Sequence, residues 1–261
     1  MPFYENSGLR YYSLSSLDVP ELTQAIFTRQ GGVSPPPWDA LNLGGTVGDD
    51  PQRVSENRQR AFHAVGRPLS SLYDVWQVHS ARVVKVTGPR SSSENILKAD
   101  AIVTDRAEVT LVMRFADCVP LLLFDPVQGA IGLVHAGWQG TMRKVALATV
   151  MAFRKHYGTN PEDIIAGIGP SIGPDHYEIG LDVITEVERA FPEESSTLLH
   201  SEDGAVKLDL WKANEFTIQQ AGVTHIEVAG ICTACNVGDW YSHRAENGQT
   251  GRFGVLMALN H

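Results

Sequence analysis

Apolar positions along this chain follow two periods. Short aliphatic and β-branched runs bounded by Gly, Pro, Asn and Asp predict strands at residues 25–28, 82–86, 101–104, 109–115, 120–125, 130–135, 164–168, 226–229 and 254–259, with a further strand-like run at 75–78. Helical spacing predicts helices over 51–65, 141–156, 181–191 and 210–221. In the second, Val145, Ala148, Thr149, Ala152 and Phe153 share one face, while Arg143, Lys144, Arg154 and Lys155 lie toward the other. Asp209 suits an N-cap and Gly222 a C-terminal stop for the last helix. The strands between 101 and 135 follow one another too closely for helical crossovers, so they pair antiparallel or in a mixed sheet. The expectation is a single α+β domain over 1–261, with mixed, largely antiparallel sheets flanked by helices. The loop-rich stretches 34–37 and 89–95 mark no domain boundary, and no internal repeat is evident.

Composition narrows the function classes. With 43% hydrophobic and 20% charged residues the chain can build a large core. A formal net charge of −9 argues against a binder of nucleic-acid backbones, which needs a basic face. No apolar run is long enough to cross a membrane, and the first ten residues lack the basic and apolar segments of a signal peptide. Three cysteines, an odd and low number, fit a reducing compartment, so a cytoplasmic location is expected. Neither a Gly-x-Gly-x-x-Gly turn between strand and helix nor a Walker A motif is present.

Three residues carry candidate chemistry. His79, Cys118 and His135 each sit where a strand-like run meets a turn. If they converge, they make either an open metal site or a Cys-His catalytic pair. Asp117 beside Cys118 would raise a free thiol's pKa unless a metal or a protonated His reversed it, so Cys118 reads better as a ligand than as an unassisted nucleophile. Gln77 shares a strand face with His79, which suits a polar pocket or an exposed edge. After His135, a glycine-containing turn leads to the helix expected near Thr141, where free N–H groups and Arg143 would attract an anion; a tight turn that merely needs glycine explains the same residues.

Two competing signals are weaker. His225-Ile226-Glu227 with Cys232 and Cys235 has some of the zinc-deaminase signature, but Ile231 replaces its Pro and the gap cannot supply two helix starts. The Cys232–Cys235 pair reads as a redox couple or half a zinc site, and no second Cys-x-x-Cys exists. Nine histidines include no His-x-His pair, so a multicopper cluster is not expected.

Taken in order, several stretches resemble one family over nearly the whole chain. They are Thr28-Arg29-Gln30-Gly31-Gly32-Val33-Ser34, Leu41-Asn42-Leu43-Gly44, Val47-Gly48-Asp49-Asp50-Pro51, Gln77-Val78-His79 and Ala99-Asp100-Ala101. Ala116-Asp117-Cys118-Val119-Pro120, His135-Ala136-Gly137-Trp138, Gly167-Ile168-Gly169-Pro170-Ser171-Ile172-Gly173, Ser242-His243-Arg244 and Thr250-Gly251-Arg252 follow. Together they are similar to the laccase-domain family, whose members have been called polyphenol oxidases and peptidoglycan editing factors and are described as purine nucleoside phosphorylases. The one departure noted is His243, at a position where an aromatic residue is expected.

The resemblance implies one zinc ion held by His79, Cys118 and His135, with copper the metal behind the laccase label, and a fold shared in outline with a Cys-His toxin deamidase. It implies purine nucleosides and phosphate as partners: phosphorolysis of adenosine, inosine and methylthioadenosine, and deamination of adenosine. Two His and one Cys leave a fourth tetrahedral position open, as catalytic zinc requires. Asp117 is then the candidate proton shuttle, Arg29 and Arg143 the candidate phosphate ligands, and Asn42 and Gln77 candidate nucleoside contacts. The rival enzyme is a cysteine hydrolase with a Cys118-His135 pair acting on a peptidoglycan precursor; the rival without turnover is a nucleoside-binding regulatory module.

Overall fold

The architecture follows from strands that are apolar on both faces. In the computed structural model, which describes residues 3–91, 94–202 and 204–260, two six-stranded sheets pack face to face. The first runs β1 (Phe3–Asn6), β2 (Leu9–Tyr12), β3 (Leu22–Phe27), β15 (Phe253–Leu259), β7 (Thr110–Phe115) and β4 (Leu72–Asp74). The second runs β14 (His225–Val228), β10 (Ile165–Ile168), β8 (Val119–Asp125), β9 (Ala130–Ala136), β6 (Ala101–Thr104) and β5 (Val83–Lys85). Three pairs, β4 with β7, β5 with β6 and β10 with β14, are parallel, and the rest antiparallel. A small sheet of β11 (Glu178–Ile179), β13 (Ala205–Leu208) and β12 (Leu199–Glu202) stands apart.

Strand alternation sorts side chains into three apolar layers. Leu111, Met113, Val255 and Met257 of the first sheet meet Leu122, Phe124, Ile131 and Leu133 of the second in the central layer. On the first sheet's outer face, Phe27, Val112 and Leu256 cover α1 (Pro51–Ala64) through Ala61 and Phe62. On the second sheet's outer face, Val103, Leu121, Leu123 and Val134 pack on α2 (Trp138–Met142), α3 (Val145–Tyr157), α4 (Leu181–Ala190) and α6 (Leu210–Gln220), with α5 (Ser195–Leu198) beside them. The result is helix, sheet, sheet, helix.

The caps expected for α6 are present: the Asp209 side chain accepts from the amide of Lys212, and Gly222 ends the helix in the left-handed region. On α1 the structure adds a cap at Asp50, whose side chain accepts from the amide of Gln52. Two expectations are corrected. The helix expected over 141–156 begins earlier and is two helices, broken at Lys144, whose φ is +59 and whose ammonium lies over the Phe191 ring. Lysine carries no helix-breaking signal, so nothing local in the sequence marks the break. Residues 75–78 are not a strand; pairing with β7 stops at Asp74, and the Gln77 side chain then bonds both the amide and the carbonyl of Arg114 in place of a ladder. β1, β2, β4 and the small sheet carry mixed polar patterns, which conceal them in the sequence.

Leu122→Ala should test the central layer. A fully buried Leu at this position should cost about 3 kcal/mol of unfolding free energy, read from the shift in denaturant midpoint; a change within error would mean that the two sheets do not pack through it.

Candidate functional site

Sheet register brings the first two residues of the centre together. Pro120 lies opposite His135 in the β8–β9 ladder. Cys118, two residues before Pro120, therefore points to the same face as His135, toward the central layer. Here that layer opens to solvent: His135 is buried, Cys118 half-buried and His79 exposed. The Phe115 ring flanks His135 on the core side, with ring centres 5.4 Å apart.

His79 arrives from a loop wound on one carboxylate. Asp100, fully buried at the start of β6, accepts from the amides of Val78, His79 and Ser80 at 2.6–3.2 Å and from the Ser80 hydroxyl at 2.7 Å. These bonds hold His79 at φ +58, a backbone conformation uncommon outside glycine. The same carboxylate lies 2.9 Å from His135 Nδ1, which leaves Nε2 for a ligand. The Arg143 guanidinium donates to the His79 carbonyl from the other side.

The donor atoms of His79, Cys118 and His135 lie within 4.8 Å of one another. A Cβ on Gly137 would stand 2.6 Å from His79 Nδ1 and 2.9 Å from Cys118 Sγ, so only glycine leaves the space between them free. Two imidazoles and a thiolate on three separate segments, with an Asp behind one imidazole, suit a zinc-class cation with an open position.

Electrostatics prepare the same group. Burial opposes the charge of Asp100, but His135 and Ser80 outweigh it and bring the carboxyl down to about 2. Burial also raises the Cys118 thiol and lowers His135; their mutual attraction, with help from His79 and Asp100, overrides both and sets Cys118 at about 6 and His135 at about 9. Without metal, Cys118 and His135 therefore form a thiolate–imidazolium pair between those pH values.

The remaining candidates are dispersed. Asp117, at φ +80, has both carboxylate oxygens engaged, by the Thr233 hydroxyl at 2.7 Å and the Arg244 amide at 2.7 Å; its carbonyl accepts from Ile172. It shapes the turn that presents Cys118. Asn42 is buried and bonds Gly44, Asp49 and Arg252. Arg29 is held by the Asp39 and Val237 carbonyls and the Glu246 carboxylate, over the Tyr241 ring. Neither lines the cavity at the centre. Gln77 lines it, with its amide committed to Arg114.

That cavity, of about 480 Å³, opens on His79 and His135 and holds four arginines that sequence reasoning did not single out: Arg58, Arg90, Arg114 and Arg252. Asp74 pairs with two of them, Arg90 at 2.8 Å and Arg114 at 2.6 Å. Arg58 Nη1 and Arg252 Nη2 have no protein acceptor among the described residues. Burial lowers the pKa of Arg58, and the adjacent cations Arg114 and Arg90 lower it further against the pull of Asp74. A pocket with this excess of positive charge attracts an anion. Trp76, 49% exposed, stands at its rim with Ile96.

A family model described as multi-copper polyphenol oxidoreductase laccase matches residues 23–260. The chain belongs to this family. A relative from Deinococcus radiodurans named purine nucleoside phosphorylase is 38% identical over 252 residues, covering 97% of this chain and 94% of its own. The purine nucleoside phosphorylase YlmD of Bacillus subtilis is 35% identical, covering 92% and 89%. The crystal structure of YlmD from Geobacillus stearothermophilus superposes with a TM-score of 0.92 at 32% identity, covering 100% of this chain and 99% of that one; Bacillus licheniformis YfiH gives 0.91 at 33%, covering 99% of each. Laccase-domain membership does not bring a histidine-rich cluster: among the described residues only two groups of His, Cys, Asp or Glu could share a cation, with two imidazoles in one and a single imidazole in the other. Among the described residues no helix is long and apolar enough to cross a membrane.

If the three side chains share a zinc-class cation, Gly137→Ala should weaken its retention at least as much as loss of a hydrogen-bond partner behind a ligand does, roughly 10- to 100-fold, with an unchanged circular dichroism spectrum; retention at the wild-type level would show that the three side chains do not need this gap. In metal-free protein, alkylation of Cys118 by iodoacetamide should rise through a pH of about 6 instead of the ordinary 9, because the thiolate persists above the lowered pKa and is lost below it. In His135→Gln the inflection should move upward; an unmoved one would remove His135 as the cause.

Proposed function

We propose that this protein is a zinc-dependent purine nucleoside phosphorylase. The observation that carries the reading is the arginine-lined cavity opening directly on the His79, Cys118 and His135 centre, in a chain whose relatives are named for that activity. The cavity supports both halves of the reaction. The unpaired nitrogens of Arg58 and Arg252 suit the oxygens of inorganic phosphate, which arginine binds through its planar fork. The exposed face of Trp76 suits a purine ring, and such stacking contributes about 1–3 kcal/mol per base.

In phosphorolysis a phosphate oxygen forms the new bond to ribose C1′ while the C1′–N9 bond breaks, its electron pair leaves with the base, and the proton of hydrogen phosphate ends on the departing base. Arg58 and Arg252 hold phosphate, Gln77 fixes the Arg114 backbone beside it, and Asp74 keeps Arg90 and Arg114 from swinging away. His79, Cys118 and His135 would hold the zinc, which would supply Lewis acidity there. Asp100 keeps the His135 Nε2 lone pair directed at that position, and Arg143 holds the His79 main chain. Adenosine, inosine and methylthioadenosine share the atoms that this scheme uses, so all three are proposed substrates. Deamination of adenosine at the same centre is proposed as a side activity, with Asp117 acting through the turn of Cys118. Nothing in the cavity calls for a nucleic acid or a membrane, and a cytoplasmic enzyme is proposed.

One observation favours a second reading. The low pKa of Cys118 beside His135 is what a cysteine hydrolase acting on a peptidoglycan precursor needs. Metal separates the two, since tightly bound zinc occupies the thiolate.

The test is metal analysis followed by chromatography of products from adenosine with and without phosphate. Phosphate-dependent adenine and ribose 1-phosphate are expected, and Cys118→Ala or His135→Ala should lose both zinc and turnover. Arg252→Ala should lower kcat/KM for phosphate roughly 10- to 100-fold, the cost of about 1.5–3 kcal/mol for a charged hydrogen bond. Full activity with zinc retained in either ligand variant, or products indifferent to phosphate, would sink the phosphorylase reading.

A further inference from the structure

The Cys232–Cys235 pair lacks a second Cys-x-x-Cys in the sequence, but the fold brings it other donors. Its loop lies against the segment that follows β10. Ser171 and Cys232 form a parallel bridge, the Ser171 amide donates to the Ile231 carbonyl, and the Thr233 amide donates to the Ser171 carbonyl. Beyond this bridge the second segment turns, and Asp175 and His176 come over the two sulfurs.

The donor atoms of Asp175, His176, Cys232 and Cys235 all lie within 4.8 Å of one another. Cys235 Sγ is 3.0 Å from Asp175 Oδ2 and 3.4 Å from His176 Nδ1; Cys232 Sγ is 3.9 Å from His176 Nδ1; Asp175 Oδ2 is 2.9 Å from the same nitrogen. Zinc bond lengths of about 2.0–2.3 Å at tetrahedral angles place ligand atoms about 3.3–3.8 Å apart, so these four already stand close to the edges of such a tetrahedron. The Gly173 amide donates to Cys232 Sγ at 3.2 Å, an outer bond of the kind that steadies a liganding thiolate. A Cβ on Gly173 would stand 2.5 Å from Asp175 Oδ1 and 3.0 Å from Cys232 Cβ, so glycine lets the two segments close.

We propose that Asp175, His176, Cys232 and Cys235 form a second, structural site for one zinc-class cation, independent of the centre at His79, Cys118 and His135. Four protein ligands close the tetrahedron and leave no position for substrate, unlike the three at the first centre. Two thiolates and an imidazole select a thiophilic cation over magnesium or calcium. Thr233, between the two cysteines, is the residue whose hydroxyl holds Asp117. The second cation therefore clamps the loop that shapes the turn before Cys118, and Thr233 acts as a positioning residue.

The experiment is zinc stoichiometry of full-length protein prepared under reducing conditions and passed through gel filtration in metal-free buffer. Wild type should retain two equivalents, Cys235→Ser one and Cys118→Ala one. Adding His176→Gln to Cys118→Ala should remove the last. Cys235 is exposed, so Cys235→Ser should keep the wild-type circular dichroism spectrum. In Cys118→Ala, cobalt in place of zinc should show the sulfur-to-cobalt charge-transfer absorption of a two-thiolate tetrahedral site. A single equivalent in wild type that Cys235→Ser leaves untouched and Cys118→Ala abolishes would overturn the second site. A second equivalent that washes off on the column, or a Cys232–Cys235 disulfide in the reduced preparation, would overturn it equally.

Discussion

The buried carboxylate of Asp100 is the interaction on which the centre depends. A carboxylate out of water is stable only when its oxygens are satisfied by donors or positive charge. Here the donors are three consecutive amides, a hydroxyl and an imidazole. Satisfying Asp100 therefore winds the loop that carries His79 and fixes the ring of His135 in one step. The two imidazoles come from segments far apart in the chain, and one carboxylate sets the position of both. The cost of desolvating Asp100 is converted into the placement of both imidazoles.

The two-sheet core makes that geometry possible. Because β8 and β9 are apolar on both faces, their register is specified on both sides, and a slip of one residue would turn Cys118 and His135 away from the cavity. The site lies where the central layer ends, so one wall is rigid core and the other is open. Low dielectric on the core side strengthens the attraction between Cys118 and His135, and the open side admits ligand. The small residue Gly137 at the turn is a consequence: the sheet edge brings its Cα so near the donors that a methyl group has no room.

Much of this was legible in the chain. Strands with unbroken apolar runs, such as 120–125 and 130–135, and the capped start of α6 at Asp209 are local signals that the fold preserves. Cys118 and His135 stood out as polar side chains beside buried strands, whereas His79 follows a run that forms no strand, and the convergence of the three came from the family resemblance. Less legible were features set by non-local contact. Asp100 stood in a quoted motif, yet its burial and its partners depend on pairing between β6 and β9. The four arginines come from α1, β7 and two loops, with nothing in their spacing to group them. Conversely, Arg29 and Asn42 looked like ligand contacts because polar residues in glycine-rich loops often are, and the structure uses both to hold the loops themselves. Asp175 and His176, over fifty residues before Cys232, became visible only through the Ser171–Cys232 bridge.

Charge balance explains how an acidic protein can hold a positively charged cavity. The net charge of −9 is a property of the whole surface, and it decays over a Debye length of roughly 8 Å at physiological ionic strength. Inside the cavity the local count is reversed: four arginines face one aspartate, Asp74, which itself pairs with two of them. Removing Asp74 would add positive charge but free Arg90 and Arg114 to turn outward, so the acidic residue makes the basic pocket more definite. The acidic outer surface offers no broad basic face among the described residues that line the cavity, and the arginines are recessed within it. The outer surface and the pocket thus differ in the sign of their charge.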